Sequence, residues 1–267
     1  MRAPLPVLIS VPHGGDQIPK ELHSIVALTP RDIFEDGDTL TREIYAFQDQ
    51  VVAFLDTPIA RACIDLNRAP TDRPPANPDG VVKTMTTSQR PVYKSGHFPD
   101  DLAIQLLLNR YYWPYHHQLD HLQQIPGLKV ALDCHSMLAA APAFSRVPGE
   151  PRPLFCLSNR GDQQGQPVPG RGPITCPPTW LQRLADCFCQ VFAAEKQEVR
   201  LNDPFSGGYI IQSHFNGIVP WIQIELNRKL YLTPPYFDAQ TLTVAPERIR
   251  ELREKIFEVL KAFCAGI

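Results

Sequence analysis

The sequence predicts an α/β protein with one mixed sheet and helices packed on both of its faces. Three observations carry that expectation. Short apolar runs of strand length alternate with stretches of helical periodicity along the chain. Several of those runs end in polar, chemically capable residues, as expected where a site gathers beyond the carboxyl ends of strands in an open α/β sheet. The 267 residues are enough for one large core and short for two. With no internal repeat and no linker at which to cut, residues 1–267 read as a single domain.

Taken in order, residues 7–11 form a buried strand. Residues 38–54 read as a helix, with Asp38 or Thr39 near its cap and Leu40, Ile44, Tyr45, Phe47 and Val51 following. Residues 62–66 are a second strand, and 100–124 a long helical stretch that Pro114 should kink or divide. Strands follow at 130–134 and 154–157, then a helix at 178–196 with Leu181, Leu184, Phe188 and Phe192 at helical spacing. Residues 219–226 are a strand and 246–264 the last helix. Prolines gather in 68–99 and 142–178, which read as long ordered loops, and such loops in a compact domain are often functional.

Composition narrows the function. Lys and Arg number 26 against 28 Asp and Glu, so charge gives no reason to expect a nucleic-acid or membrane partner. No run approaches the roughly 20 apolar residues of a membrane span. The apolar stretch near the N-terminus is short and interrupted by Pro4 and Pro6, unlike the core of a secretory signal. The cysteines lack paired spacing, and Cys63, Cys134 and Cys156 sit in apolar runs as buried thiols do. Together these point to a reduced, cytoplasmic protein.

The chemistry lies at the strand ends. After the first strand comes Pro12-His13-Gly14-Gly15-Asp16, and the second completes Asp65-Leu66-Asn67-Arg68. The third ends Asp133-Cys134-His135-Ser136, and the late strand ends Gln223-Ile224-Glu225-Leu226-Asn227-Arg228. His13 and His135 are candidate metal ligands, because neutral imidazole suits zinc and a catalytic zinc keeps three protein ligands plus water. Gly14 and Gly15 leave room for close approach of substrate or metal. The third ligand is open among Asp16, in H-x-x-D spacing with His13, Asp36 and Asp38; helix capping is the alternative role for Asp38. Glu225 is a candidate general base, its alternative being an ion pair with Arg228 or Lys229. Asn67-Arg68 suits a carboxylate, since the guanidinium fork matches it bidentately, and a surface pair of Arg68 with Asp65 or Asp72 is the alternative. Ser206-Gly207-Gly208-Tyr209 is a lid, a substrate wall or a plain turn. His116, His117 and His121, in a helix rich in aromatics, read as structural.

Five stretches in series resemble one family. They are residues 11–15, 64–68 and 132–136, then Asn202-Asp203-Pro204-Phe205-Ser206-Gly207-Gly208-Tyr209 and residues 223–231. In this order, over about residues 7 to 232, they resemble the N-formylglutamate amidohydrolases. That family is similar in fold to zinc carboxypeptidases and aspartoacylases. The resemblance implies a divalent metal, zinc in the first instance, on His13 and His135, carboxylate binding by Asn67 and Arg68, and general-base work by Glu225. It favours Asp38 as third ligand over Asp16, where the carboxypeptidase-like relatives carry H-x-x-E. It implies hydrolysis of N-formyl-L-glutamate, a small-molecule substrate bearing carboxylates, in histidine breakdown. Arg68 would hold a substrate carboxylate with Gly208 and Tyr209 or His214 closing the pocket. The residues leave open a carboxypeptidase or another N-acyl amino acid deacylase, and a non-catalytic metal- or ligand-binding relative, because function belongs to the site and not to the fold.

Overall fold

The computed structural model of the protein describes residues 3–143, 145–195 and 198–267. Its strands β1 (Leu5–Val11), β2 (Val51–Asp56), β3 (Val130–Met137), β4 (Phe155–Ser158), β5 (Val199–Leu201) and β6 (Trp221–Asn227) form one six-stranded sheet in the order β2-β1-β3-β6-β4-β5. β2, β1, β3 and β6 run parallel, β4 lies antiparallel to β6, and β5 parallel to β4. Two short strands, β7 (Phe237–Asp238) and β8 (Thr243–Val244), pair separately. The mixed α/β sheet is the architecture the sequence predicts.

Helices cover both faces. On one, Val7, Ile9 and Val11 of β1 share a core with α5 (Pro178–Val191) and α7 (Pro246–Cys264). On the other, Leu8 of β1 and Ala131 of β3 share a core with α3 (Asp101–Leu107) and α4 (Trp113–Leu122). Alternate residues of one strand thus serve two cores. The central strands β3 and β6 are buried at every position, which is why they read as near-continuous apolar runs. α7 forms because Ile249, Leu252, Ile256, Val259, Leu260 and Phe263 repeat at helical spacing and all are buried.

The remaining helices are short. α1 (Pro30–Asp36) starts on a capping box between Thr29 and Asp32, with Pro30 at its first position. α2 is a single turn, Thr41–Ile44, and α6 is Tyr209–His214.

Three expectations are corrected. The helix expected over 38–54 is only α2, and its last four residues open strand β2. Val51–Asp56 alternates buried and half-buried positions, so its period is two, and it completes a parallel pair with β1. The strand expected over 62–66 is a buried turn, in which the amides of Cys63 and Ile64 both reach back to the Ala60 carbonyl. Its apolar residues join the core that holds Leu8 and Ala131, without a strand to pair with. The helix expected to reach Lys196 ends at Val191, and Lys196 itself lies outside the described residues. The helical stretch over 100–124 divides before Pro114, as its proline predicts: five residues, Leu108–Tyr112, form a π turn that leads into α4.

Strand β4 runs against its neighbour. Because β4 opposes β6, with Cys156 beside Glu225, the chain entering β4 arrives at the carboxyl ends of β1, β3 and β6. No helix of the described residues is long and apolar enough to cross a membrane. All seven cysteines are free thiols.

Gly15 joins the sheet to the segment beyond β2. It bridges Ala60, and a Cβ there would lie 2.3 Å from the Pro58 backbone carbon. Backbone cannot retreat as a side chain tip can, so Gly15→Ala should cost about 1–3 kcal/mol and lower Tm by several degrees in a thermal melt. An unchanged Tm would mean that residues 58–60 are free to shift.

Candidate functional site

Two imidazoles and a carboxylate meet at the carboxyl ends of β1 and β3. His13 follows β1, His135 lies near the end of β3, and Asp38 lies just beyond α1. The Asp38 amide donates to the His13 carbonyl at 3.0 Å, which pins the loop after α1 to the residue after β1. Asp38 Oδ2 lies 2.9 Å from His135 Nδ1 and 3.6 Å from His13 Nδ1. One ligand atom from each of the three residues lies within 4.8 Å of the others, and all three residues are buried.

The far side of each ring explains its aim. His13 Nε2 donates to Asp65 Oδ1 at 2.8 Å, and His135 Nε2 donates to Asp133 Oδ2 at 2.9 Å. A carboxylate only accepts, so each Nε2 carries the hydrogen and each Nδ1 faces the shared point. Imidazoles backed by carboxylates, with a third carboxylate between them, are the donor set that suits zinc or another divalent transition metal. The residues fit that group.

Further bonds fix the carboxylates. Arg228 donates from Nη2 to Asp38 Oδ1 at 3.1 Å, from Nε to Ser136 Oγ at 3.0 Å and from Nη1 to the Glu35 carbonyl at 2.9 Å. Asp65 Oδ2 receives Arg61 Nη2 and the fully buried Lys83 Nζ, each at 3.1 Å. Burial alone would raise the Asp38 carboxyl, but its bonds to His13 and His135 outweigh burial and hold it well below the usual carboxylate range. Asp65 is likewise lowered against burial, by His13, Lys83 and Arg61. Burial would depress His135, and Asp133 and Asp38 raise it well above the ordinary imidazole value instead.

Glu225 stands beside His135 across the β3–β6 ladder. Gln223 donates to its Oε1 at 2.8 Å. Burial pushes the Glu225 carboxyl up to about 7; His135 opposes that rise and Asp38 adds to it. It forms no ion pair with Arg228 or Lys229 among the described residues, since Arg228 is committed to Asp38.

His13, Asp38, Asp65, His135, Gln223 and Glu225 line one cavity of about 440 Å³. Four arginines join them there: Arg61, Arg68, Arg152 and Arg228. A larger cavity, about 1000 Å³, is lined by Gly14, Gly15, Asp16, Leu40 and Tyr111 among others, and holds none of the three donors. The smaller cavity is therefore the one with chemistry.

The structure brings His13, Asp38, Asn67, Arg68, His135, Gly208 and Glu225 to that cavity and leaves Tyr209 and His214 outside its lining. Asp16 is exposed beside the larger cavity, and Asp36 is buried with one oxygen accepting from the Thr87 amide, so neither joins the donors. Gly14 and Gly15 do give close approach, but to Arg42 and Thr41 and to the Pro58–Ile59 backbone, not to the donors. Arg68 pairs with Asp79 rather than with Asp65 or Asp72. Asn67 Oδ1 accepts the Ile210 amide at 2.7 Å, and its Nδ2 lies 3.3 Å from His135 Nε2. Gly208 packs so closely on that side chain that a Cβ would lie 2.2 Å from Asn67 Nδ2. Ser206-Gly207-Gly208-Tyr209 is thus the lead-in to α6, seated on Asn67 and on Gln223, whose Oε1 accepts the Gly208 amide at 2.7 Å.

Sequence spacing misses the supporting groups. Asp133 could have been found, because a residue two before His135 on one strand shares its face. Asp65 stands in the same motif as Asn67. Arg61, Arg228 and Gln223 carry no spacing signal, and Arg152 stands in a proline-rich loop.

The model of the family described as N-formylglutamate amidohydrolase matches residues 5–232. Among solved structures, the chain is similar to an N-formylglutamate amidohydrolase from Ralstonia eutropha JMP134, with a TM-score of 0.74 and 22% identity over 99% of this chain and 96% of that one. It is also similar to the gene product Atu2144 from Agrobacterium tumefaciens, with a TM-score of 0.65 and 16% identity over 98% and 90%. At these identities the likeness concerns the fold. No curated protein matches the chain significantly.

His214 and His116 lie outside the lining of the cavity. His116 Nε2 donates to the Leu66 carbonyl at 3.0 Å, and His116 Nδ1 lies 2.8 Å from His214 Nε2. His214 Nδ1 faces Asp120 Oδ1 at 2.8 Å. Burial, then the neighbouring His214, pushes His116 down to about 3 from an ordinary 6.5. A lowered imidazole contributes stability that is complete above pH 6.5 and is lost as the unfolded chain takes up protons below it. The advantage of wild type over His116→Gln should therefore be constant above pH 7 and shrink by up to about 1.4 kcal/mol per unit between pH 6 and 4. Urea melts at several pH values read this directly; a difference independent of pH would mean that His116 is not held neutral.

Proposed function

We propose that this chain, which belongs to the N-formylglutamate amidohydrolase family, hydrolyses N-formyl-L-glutamate to formate and L-glutamate with a divalent metal, zinc in the first instance, held by His13, Asp38 and His135. The observation that carries the reading is the meeting of those three donors within 4.8 Å, in the same buried cavity as Glu225. We take the chain to act as one catalytic domain, in the cytoplasm, on a small molecule with carboxylates, in histidine breakdown.

When bound, the metal supplies Lewis acidity that polarises the amide carbonyl and makes a water acidic near neutral pH. The chain's own residues do the rest. With the metal bound, Asp65 and Asp133 would hold both rings in the tautomer that presents Nδ1. Arg228 occupies one oxygen of Asp38 and leaves the other between the two histidines.

Glu225 takes a proton from the attacking water as the water oxygen bonds to the formyl carbon. It returns that proton to the nitrogen as the C–N bond breaks and glutamate leaves. Burial raises the Glu225 carboxyl, which favours its holding the proton between the two halves of that transfer. Gln223 aims it through one oxygen. Arg68 and Arg152 are the cavity's cations available to the substrate's carboxylates once Asp79 shares Arg68.

Formate release from N-formyl-L-glutamate should require metal: it stops on chelation and returns with zinc. Release that survives exhaustive chelation would remove the metal from the reading. Glu225→Gln should keep metal content near wild type, measured by atomic absorption, and lower kcat by about 10² to 10⁴. Near-normal turnover in that variant would assign the proton transfer elsewhere.

A further inference from the structure

Of the four arginines that line the cavity, three have carboxylate partners: Arg61 has Asp65, Arg68 has Asp79 and Arg228 has Asp38. Arg152 differs. Among the described residues no carboxylate oxygen lies within 4.0 Å of its guanidinium, and its Nε is buried without a hydrogen-bond partner. Its guanidinium carbon stands 4.9 Å from the centre of the Phe205 ring, which also lines the cavity. An aromatic face orients a guanidinium and leaves its edge, where the hydrogens are, free for a planar acceptor.

The residue is also held firmly. Its amide donates to the Ala139 carbonyl at 3.0 Å. Asn227, fully buried at the end of β6, donates to the Arg152 carbonyl at 3.1 Å and to the Pro153 carbonyl at 2.9 Å. The reversed direction of β4 brings this clamped backbone to the carboxyl end of β6, two residues past Glu225. A half-buried cation with a fixed backbone, a stacked plane and no carboxylate in ion-pair contact, Glu225 acting on it only from beyond 4.0 Å, is a receptor for an anion supplied from outside.

Resting on the amidohydrolase reading, we propose that Arg152 receives one carboxylate of the substrate and makes the site selective for N-acyl amino acids that carry two. A dicarboxylate can then use Arg152 and Arg68 together, whereas a substrate with a single carboxylate leaves one of them unserved. Arg152 is a specificity-determining residue and takes no part in the proton transfer.

The test uses the metal-loaded enzyme, wild type, Arg152→Met and Arg152→Lys. Substrates are N-formyl-L-glutamate and its two monoamides, N-formyl-L-glutamine and N-formyl-L-isoglutamine. Arg152→Met should raise KM for the diacid about 10- to 100-fold, a larger effect than any on kcat, and Arg152→Lys should recover part of that. For the monoamide lacking the carboxylate that Arg152 binds, the same variant should change KM less than threefold. An unchanged KM for the diacid, or equal losses on all three substrates, overturns the proposal.

Calorimetric binding of L-glutamate and of glutarate to the same proteins needs no turnover. If wild type hydrolyses none of the substrates yet binds these dicarboxylates, and Arg152→Met weakens that binding by 10-fold or more, the activity reading fails and the receptor stands. Dicarboxylate binding unaffected by the variant overturns the receptor whatever the activity.

Discussion

The bonds from Asp65 and Asp133 to the far nitrogens of His13 and His135 are the constraint on which the site depends. They turn both Nδ1 atoms inward and place Asp38 between them. Such a concentration of charge inside a fold is tolerable only as a closed circuit. An isolated buried charge costs several kcal/mol, and one left behind when its partner is removed costs about 3–5 kcal/mol. Here Asp133 leads through His135 to Asp38 and on to Arg228, while Asp65 is shared by His13, Arg61 and Lys83. The circuit ties the loop after α1, the turn at 60–66 and the ends of β1, β3 and β6 into one object. It also connects chemistry to folding, since the polar groups that orient the donors hold those segments together.

Three of the four parallel strands, β1, β3 and β6, and most of the candidate donor set were legible in the sequence. Val7, Ile9 and Val11, and Ile222, Ile224 and Leu226, are continuous apolar runs because both faces of their strands are covered. His13, His135 and Glu225 were legible because they end such runs. Asp38 needed the family resemblance, as capping was an equal explanation for a carboxylate there; the structure gives its side chain to the two histidines and Arg228.

What failed did so for identifiable reasons. In 38–54, the spacing of Leu40, Ile44, Tyr45, Phe47 and Val51 suits a helix, while Val51, Ala53 and Leu55 belong to a period of two that only pairing with β1 reveals. In 62–66, burial without pairing looks like a strand from the sequence. His214 and Tyr209 lie in the right region of the chain, but α6 turns them toward His116 and away from the cavity. Arg152 was invisible because its place depends on the reversal of β4, which no local pattern encodes.

That reversal divides the cavity by inheritance. The donors His13 and His135 and the carboxyl Glu225 hang on strands of one sense, while Arg152 and its neighbours hang on the lead-in to a strand of the other. Among the described residues, no bond joining His13, Asp38, Asp65, Asp133 and His135 passes through residues 138–153, and Arg152 reaches the centre only through its charge, which Glu225 and Arg228 feel. Changes to groups that share no partner tend to add rather than interfere. The side chains of the lead-in can therefore change what the cavity accepts while the bonds that orient the two imidazoles stay as they are, provided the clamp from Asn227 onto residues 152 and 153 is kept.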